Sequence, residues 1–182
     1  VVQGGQGADE LFAGYHWYPQ VDGAQDPAAA YLAAFRDRSY EEYAETMQQQ
    51  WVKGDFSGDF VRQHFAQPGA DAAVDKALRI DSTVMLVDDP VKRVDNMTMA
   101  WGLEARTPFL DYRVAELSAR IPARFKLPEG GKYVLKEAAR QVIPAEVIDR
   151  PKGYFPVPGL KHLQGATLNW VREMLLDPSQ ER

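Results

Sequence analysis

The sequence predicts a mainly α-helical fold with a strand end at its N-terminus. Three observations carry that expectation. Apolar residues recur at three- and four-residue spacing along most of the chain. Pro, Gly and Asp punctuate those runs where helices start or stop. Only Val1-Val2, directly before a glycine cluster, reads as strand. A helical chain with one lone strand end suggests a segment of something larger.

The elements follow in order. Residues 19–28, PQVDGAQDPA, read as an exposed, turn-rich connection. From Pro27 to about Trp51 the composition is helix-forming, with a break near Arg38-Ser39. KGDFSGD, residues 53–59, reads as a loop with a short helix after it. A helix is expected from about Ala70 to Leu86, burying Val74, Leu78 and Val84-Met85. Asp89 can then cap a new helix whose first position is Pro90, where a missing amide hydrogen costs nothing. Val91, Val94, Met97 and Trp101 recur at helical spacing there and are expected to face the core. Asp111 offers a cap for DYRVAELSARI. After Glu129-Gly130-Gly131, KYVLKEAARQV is helical, with Leu135, Ala138, Ala139 and Val142 as its apolar stripe. Pro144 begins one more turn, PKGYFPVPG is a proline-restrained loop, and a last helix runs from about Leu160 to Leu176.

Composition narrows the function classes. A chain of 182 residues can bury a real core, and 45% hydrophobic with 26% charged residues is ordinary for a globular protein. No apolar run reaches the length of a membrane span, so no membrane partner is expected. The absence of cysteine excludes disulfides, thiolate nucleophiles and cysteine-ligated zinc, and fits a reducing cytoplasm. Net charge is −5, but unevenly spread: residues 1–91 hold 6 Lys/Arg against 15 Asp/Glu, and residues 92–172 hold 14 against 8. A basic second half suits an anionic small ligand, or pairs with the acidic first half. The acidic pI of about 5.2 argues against a nucleic-acid partner.

The stretch richest in chemistry is GGQGADELFAGY, residues 4–15. A strand end, a glycine turn and a helix start together make a nest of free amides, and glycine lets a ligand approach the main chain closely. Asp9 and Glu10 then sit in the first helical turn. They can simply cap the helix and complement its dipole, or Asp9 can hold magnesium against bound phosphates. Lys152 stands between Pro151 and Gly153 on a loop stiffened by Pro156 and Pro158, a good way to hold a point charge against phosphate. Arg93 lies off the apolar stripe, where solvation is the plain expectation. Glu104 and Arg106 can form a structural salt bridge. His16, His64 and His162 show no metal spacing.

Four segments, GQGADELFAGY, VKRVDNMTMAWGLEARTPFLD, KYVLKEA and RPKGYFPVP, resemble in that order the synthetase domain of glutamine-dependent asparagine synthetases. The resemblance covers about residues 4–158, with little from Pro19–Ile80. HWYP and PKGYFPVP look most like the N-acetylglutaminylglutamine amidotransferases of that family.

The resemblance implies that residues 1–182 are a single partial domain: the helical C-terminal portion of an α/β, Rossmann-like ATP pyrophosphatase (adenine nucleotide alpha hydrolase-like). The implied activity is that of a ligase. ATP activates a carboxylate acceptor, aspartate or a glutaminyl dipeptide, as an acyl-adenylate, and glutamine-derived ammonia displaces AMP. The implied cofactors are ATP and Mg2+. By the same resemblance Asp9 binds the metal, and Lys152 steadies the pyrophosphate. Gly5, Gln6 and Gly7 meet the nucleotide, and Arg93 is a secondary catalytic cation. Gln6 departs from the glutamate usual at its position; it cannot exchange a proton near neutral pH but can hydrogen-bond a different acceptor. Asp89 lies roughly where some relatives carry a second acidic residue.

The family's S-G-G-x-D-S pyrophosphate loop and its glutaminase cysteine do not occur in these residues. The 182 residues alone are therefore expected neither to hydrolyse glutamine nor to turn over ATP. The full-length protein can form a homo-oligomer. A relative that adenylates another acid, such as a β-lactam-forming synthetase, fits the same motifs. So does a non-catalytic helical module that binds a partner protein, although Asp9 and Lys152 oppose that reading.

Overall fold

The computed structural model describes residues 1–151, 162–177 and 179. The chain divides into two units, Val1–Pro144 and Ala145–Arg182.

In the first unit, β1 (Val2–Gln3) leads into α1 (Ala8–Phe12), α2 (Tyr18–Asp22), α3 (Pro27–Phe35), α4 (Tyr40–Thr46) and α5 (Phe56–Ala66). The core sits where α2, α3 and α5 meet the next helix, α6 (Ala73–Ile80). It is built from Tyr18, Val21, Tyr31, Leu32, Val61, Phe65, Val74 and Leu78. Residues 19–28 are mostly exposed, as expected of a connection, but they begin inside α2 and end in α3. Pro19 falls in the first turn of α2, where a proline fits a helix, and Tyr18 and Val21 are fully buried. The break near Ser39 is a full capping box: Glu42 N donates to Ser39 Oγ at 3.2 Å and Ser39 N donates to Glu42 Oε2 at 2.7 Å. KGDFSGD is loop only at its start, because Asp55 caps α5 by accepting from Gly58 N at 3.0 Å.

The largest departure from expectation lies between Ala73 and Met99. These residues form one unbroken helical run: α6, π-helical turns at Asp81–Met85 and Val87–Val91, then α7 (Lys92–Met99). Pro90 is thus inside a helix, not at its start, and Asp89 does not cap it. A wide π turn bonds to the fifth preceding residue, which makes room for a ring that would break an α turn. Each such turn also shifts the helical register by about one residue. The stripe extrapolated from the sequence therefore drifts: Val91 and Val94 are partly buried, but Met97 is 68% and Trp101 89% exposed.

Beyond α7, β2 (Ala105–Arg106) pairs in parallel with β1, matching Val2 to Ala105 and Gln3 to Arg106. The sequence suggests at most one strand, so β2 is a correction. Two residues between polar neighbours carry no alternation, and their strand character comes from a partner a hundred positions away. Asp111 caps α8 (Tyr112–Arg120), accepting from Arg113 N at 2.9 Å. The next helix, α9 (Tyr133–Ala139), ends before Val142, which is 82% exposed instead of part of a stripe.

The second unit contains α10 (Ala145–Ile148), the turn expected after Pro144, and α11 (Gly165–Leu175). Most of PKGYFPVPG, including Lys152, lies outside the described residues. Among the described residues no helix is long and apolar enough to cross a membrane.

Candidate active site

The parallel pair β1–β2 aims the glycine segment. Val2 N donates to Glu104 O at 2.9 Å and Gly4 N to Arg106 O at 2.8 Å, so the ladder ends as the turn begins. Gly7 takes φ 93° as it enters α1, and a Cβ there would lie 2.2 Å from Leu110 Cδ2. Both conformation and packing demand glycine at that position. Gly5 is different. It is exposed, and nothing lies within 4 Å of where its Cβ would be, so the chain's own packing gives no reason for glycine. Gln6 folds back over Gly4, and its buried Oε1 has no hydrogen-bond partner among the described residues. A buried amide oxygen in that state costs about 1–3 kcal/mol. Because α1 spans only five residues, its dipole contributes little here.

Asp9 emerges from α1 toward a residue absent from the sequence-based site. Lys132 Nζ donates to Asp9 Oδ1 at 2.6 Å, and both side chains are about three-quarters buried. The loop that delivers Lys132 is unusual in conformation. Glu129, Gly130, Gly131 and Lys132 have φ of 53°, 77°, 94° and 58°. Glycine takes positive φ freely, but Glu129 and Lys132 do so at a cost and are held there by their surroundings. Lys132 N donates to Phe12 O at 2.9 Å, and a Cβ on Gly131 would lie 1.9 Å from Ala13 O. The loop is thus pressed against the C-terminal end of α1, where Ala13 itself has φ 59°.

Behind α1 the polar groups serve the fold. Glu10 is buried and accepts from Tyr15 Oη at 2.6 Å, in keeping with a structural part for Glu10; burial and the nearby carboxylate push the Tyr15 hydroxyl far above its ordinary pKa. Asp81, at the first π turn, is fully buried and accepts from Tyr18 Oη at 2.6 Å, Trp17 Nε1 at 3.3 Å and Tyr31 Oη. Burial raises the Asp81 pKa, and the three donors oppose that rise.

The side chains of Arg93, Glu104 and Arg106 do not join the Asp9–Lys132 pair among the described residues. Arg93 is exposed on α7 and pairs with Asp89 one turn earlier; among the described residues no recorded contact joins it to Asp9 or Lys132. Glu104 and Arg106 form an exposed pair at 3.0 Å, as the bland reading expects. Lys152 lies outside the described residues.

A family model described as asparagine synthase matches residues 1–182. The chain belongs to the asparagine synthase family. It is 28% identical over 210 residues to asparagine synthetase (glutamine-hydrolyzing) 1 of Bacillus subtilis, covering 96% of this chain and 33% of that protein. It is 27% identical over 163 residues to asparagine synthetase (glutamine-hydrolyzing) 3 of the same organism, covering 84% of this chain and 25% of that protein. Over 92 residues it is 35% identical to the asparagine synthetase of Gallus gallus, covering 48% of this chain and 16% of that protein. The chain spans about a third or less of these relatives. No solved structure matches it.

Membership of the asparagine synthase family gives the missed residue a context. Lys132 opens KYVLKEA, a segment that already carried the family resemblance. Its position after Gly130-Gly131 was a usable signal, because two glycines before a lysine permit a left-handed loop.

Proposed function

We propose that this chain is part of an ATP-dependent, glutamine-hydrolysing amidotransferase of the asparagine synthetase type, and that it supplies one wall of the site where a carboxylate is adenylated. The observation that carries the reading is the Asp9–Lys132 pair, held by a loop in which Glu129 and Lys132 take positive φ, with Asp9 four positions after the exposed Gly5. Strained non-glycine backbone at Glu129 and at Lys132 itself is the kind of feature that clusters at functional sites, which supports the reading.

In this reading a carboxylate oxygen of the acceptor attacks the α-phosphorus of ATP. The bond to the β-phosphate oxygen breaks and pyrophosphate leaves with its electron pair. Ammonia then attacks the acyl carbon, and AMP departs. Charge builds on the leaving pyrophosphate, so cations fixed beside it lower the barrier. Lys132 fills that role here, with Lys152 as its partner and Arg93 as a secondary cation, both by family resemblance. Gly5 lets the adenylate lie against the main chain, while Gly7 holds the turn. Gln6 offers its amide to the acceptor.

A magnesium ion fits Asp9, a hard oxygen donor on a fixed turn. Among the described residues no group of three His, Cys, Asp or Glu is placed to hold a metal. Phosphate oxygens and water would therefore complete the coordination, as is usual for this ion. When bound, it would supply charge neutralisation on the phosphates.

Gln6 favours a second reading of the acceptor. An uncharged amide in place of a carboxylate suits a glutaminyl dipeptide at least as well as aspartate. Pyrophosphate release by a protein of the relatives' length, assayed with each acceptor, decides between them. Release with aspartate alone would remove the dipeptide. Release with neither, in a folded protein that still fails to bind ATP, would leave a non-catalytic module.

A further inference from the structure

A separate cavity of about 690 Å³ opens on the other side of α1, within the first unit. Leu11, Leu78 and Leu110 form an apolar floor, and five charged groups stand around it: Glu10, Asp71, Asp75, Arg79 and Lys126. Its size falls in the usual range for small-molecule sites, as does an apolar lining with a few polar groups.

Lys126 is the unusual member. The residue is 2% exposed, and its recorded ionic partner, Asp75 Oδ1, lies 3.9 Å away, too far for a hydrogen bond. Lysine is rarely buried without close pairing, because stripping water from an ammonium is costly. Burial accordingly pulls the Lys126 pKa down and the Asp75 pKa up. The neighbouring hydroxyls are already spent as donors: Ser118 Oγ donates to Ala115 O at 3.1 Å and Thr83 Oγ1 to Arg79 O at 2.6 Å. They present lone pairs to the cavity. The Arg79 guanidinium is engaged by the carbonyls of His64, Gln67 and Pro68, so the chamber offers the Lys126 ammonium with donor capacity to spare and three carboxylates as acceptors.

We propose that this cavity binds a small zwitterion, an amino acid or dipeptide, whose carboxylate meets Lys126 and whose ammonium meets Glu10 or Asp75 over the leucine floor. Glu10 already accepts from Tyr15, but a simple anion would leave Asp75 with only the 3.9 Å contact to Lys126, and a simple amine would leave Lys126 as it is. A ligand carrying both ends satisfies both. The site does not depend on the nucleotide reading, because none of the groups it uses is Asp9, Lys132 or Gly5.

Calorimetric titration of the 182-residue chain, in buffer free of ATP and magnesium, tests the inference with L-glutamine and L-alanyl-L-glutamine. Saturable binding is expected. N-acetyl-L-glutamine, which lacks the ammonium, and L-glutamine amide, which lacks the carboxylate, should each bind at least about tenfold more weakly. Lys126→Met should weaken binding by a similar factor. Should that variant fail to fold, Ala115→Leu keeps the charge and narrows the chamber, and it too should weaken binding at least about tenfold. The inference is overturned by absence of binding to folded protein, by equal affinity for the blocked ligands, or by unchanged affinity in whichever variant folds.

Discussion

Lys132 and Asp9 are 123 positions apart in sequence and 2.6 Å apart in space. If the ammonium neutralises pyrophosphate as it departs, its effect belongs to the transition state more than to ground-state binding. In a protein of the relatives' length, Lys132→Met is therefore expected to lower kcat for pyrophosphate release by about 10²-fold with a smaller change in KM for ATP. Steady-state kinetics check this, and equal changes in both parameters would mean that Lys132 only binds. A second residue-scale effect concerns Asp111. Its hydrogen bonds from Arg113, side chain and main chain, hold its carboxyl down at about 2. A folded-state value below the ordinary carboxylate range means that the α8 cap contributes stability above about pH 4. That contribution is lost as pH falls through about 2. Carbon-13 NMR titration should place the Asp111 midpoint near 2 and move it upward in Arg113→Ala.

At the scale of elements, the loop at residues 129–132 is where backbone conformation and chemistry are tied together. Gly131→Ala would drive a methyl group into Ala13 O, 1.9 Å away, at a φ of 94°. It is expected to destabilise the fold by about 1–3 kcal/mol. It should also detach Lys132 from Asp9, so denaturant melts and turnover fall together. The helices themselves were largely legible: Ser39 with Glu42, and Asp111, announce their caps in the sequence. What was not legible has physical causes. Pro90 reads as a helix start because an α turn rejects it, and nothing local reveals the π turn that tolerates it. A two-residue strand such as β2 is defined by its partner β1, not by its own composition. Asp55 shows the opposite error, for a capping signal was present within a segment read as loop.

For the molecule as a whole, helical spacing identified residues that are apolar in period but not what covers them. Met97 and Trp101 have core spacing and yet are exposed, whereas the main core lies among α2, α3, α5 and α6, the stretch that contributed least to the family motifs. Motif and core were thus separate problems, one set by a ligand and the other by packing. The same separation decides what the chain can do. Its described site offers one carboxylate and one adjacent ammonium to a triphosphate. Transition-state stabilisation in phosphoryl chemistry needs several such groups converging at once, and loses orders of magnitude when one is missing. The chain spans about a third of its relatives and contains no S-G-G-x-D-S loop. The 182 residues alone are therefore expected to yield no AMP above the uncatalysed rate from ATP, magnesium and either acceptor. A protein of the relatives' length should yield AMP and pyrophosphate in equal amounts. Chromatographic assay of AMP checks both halves, and AMP formed by the 182-residue chain would mean that Asp9 and Lys132 suffice without further phosphate contacts.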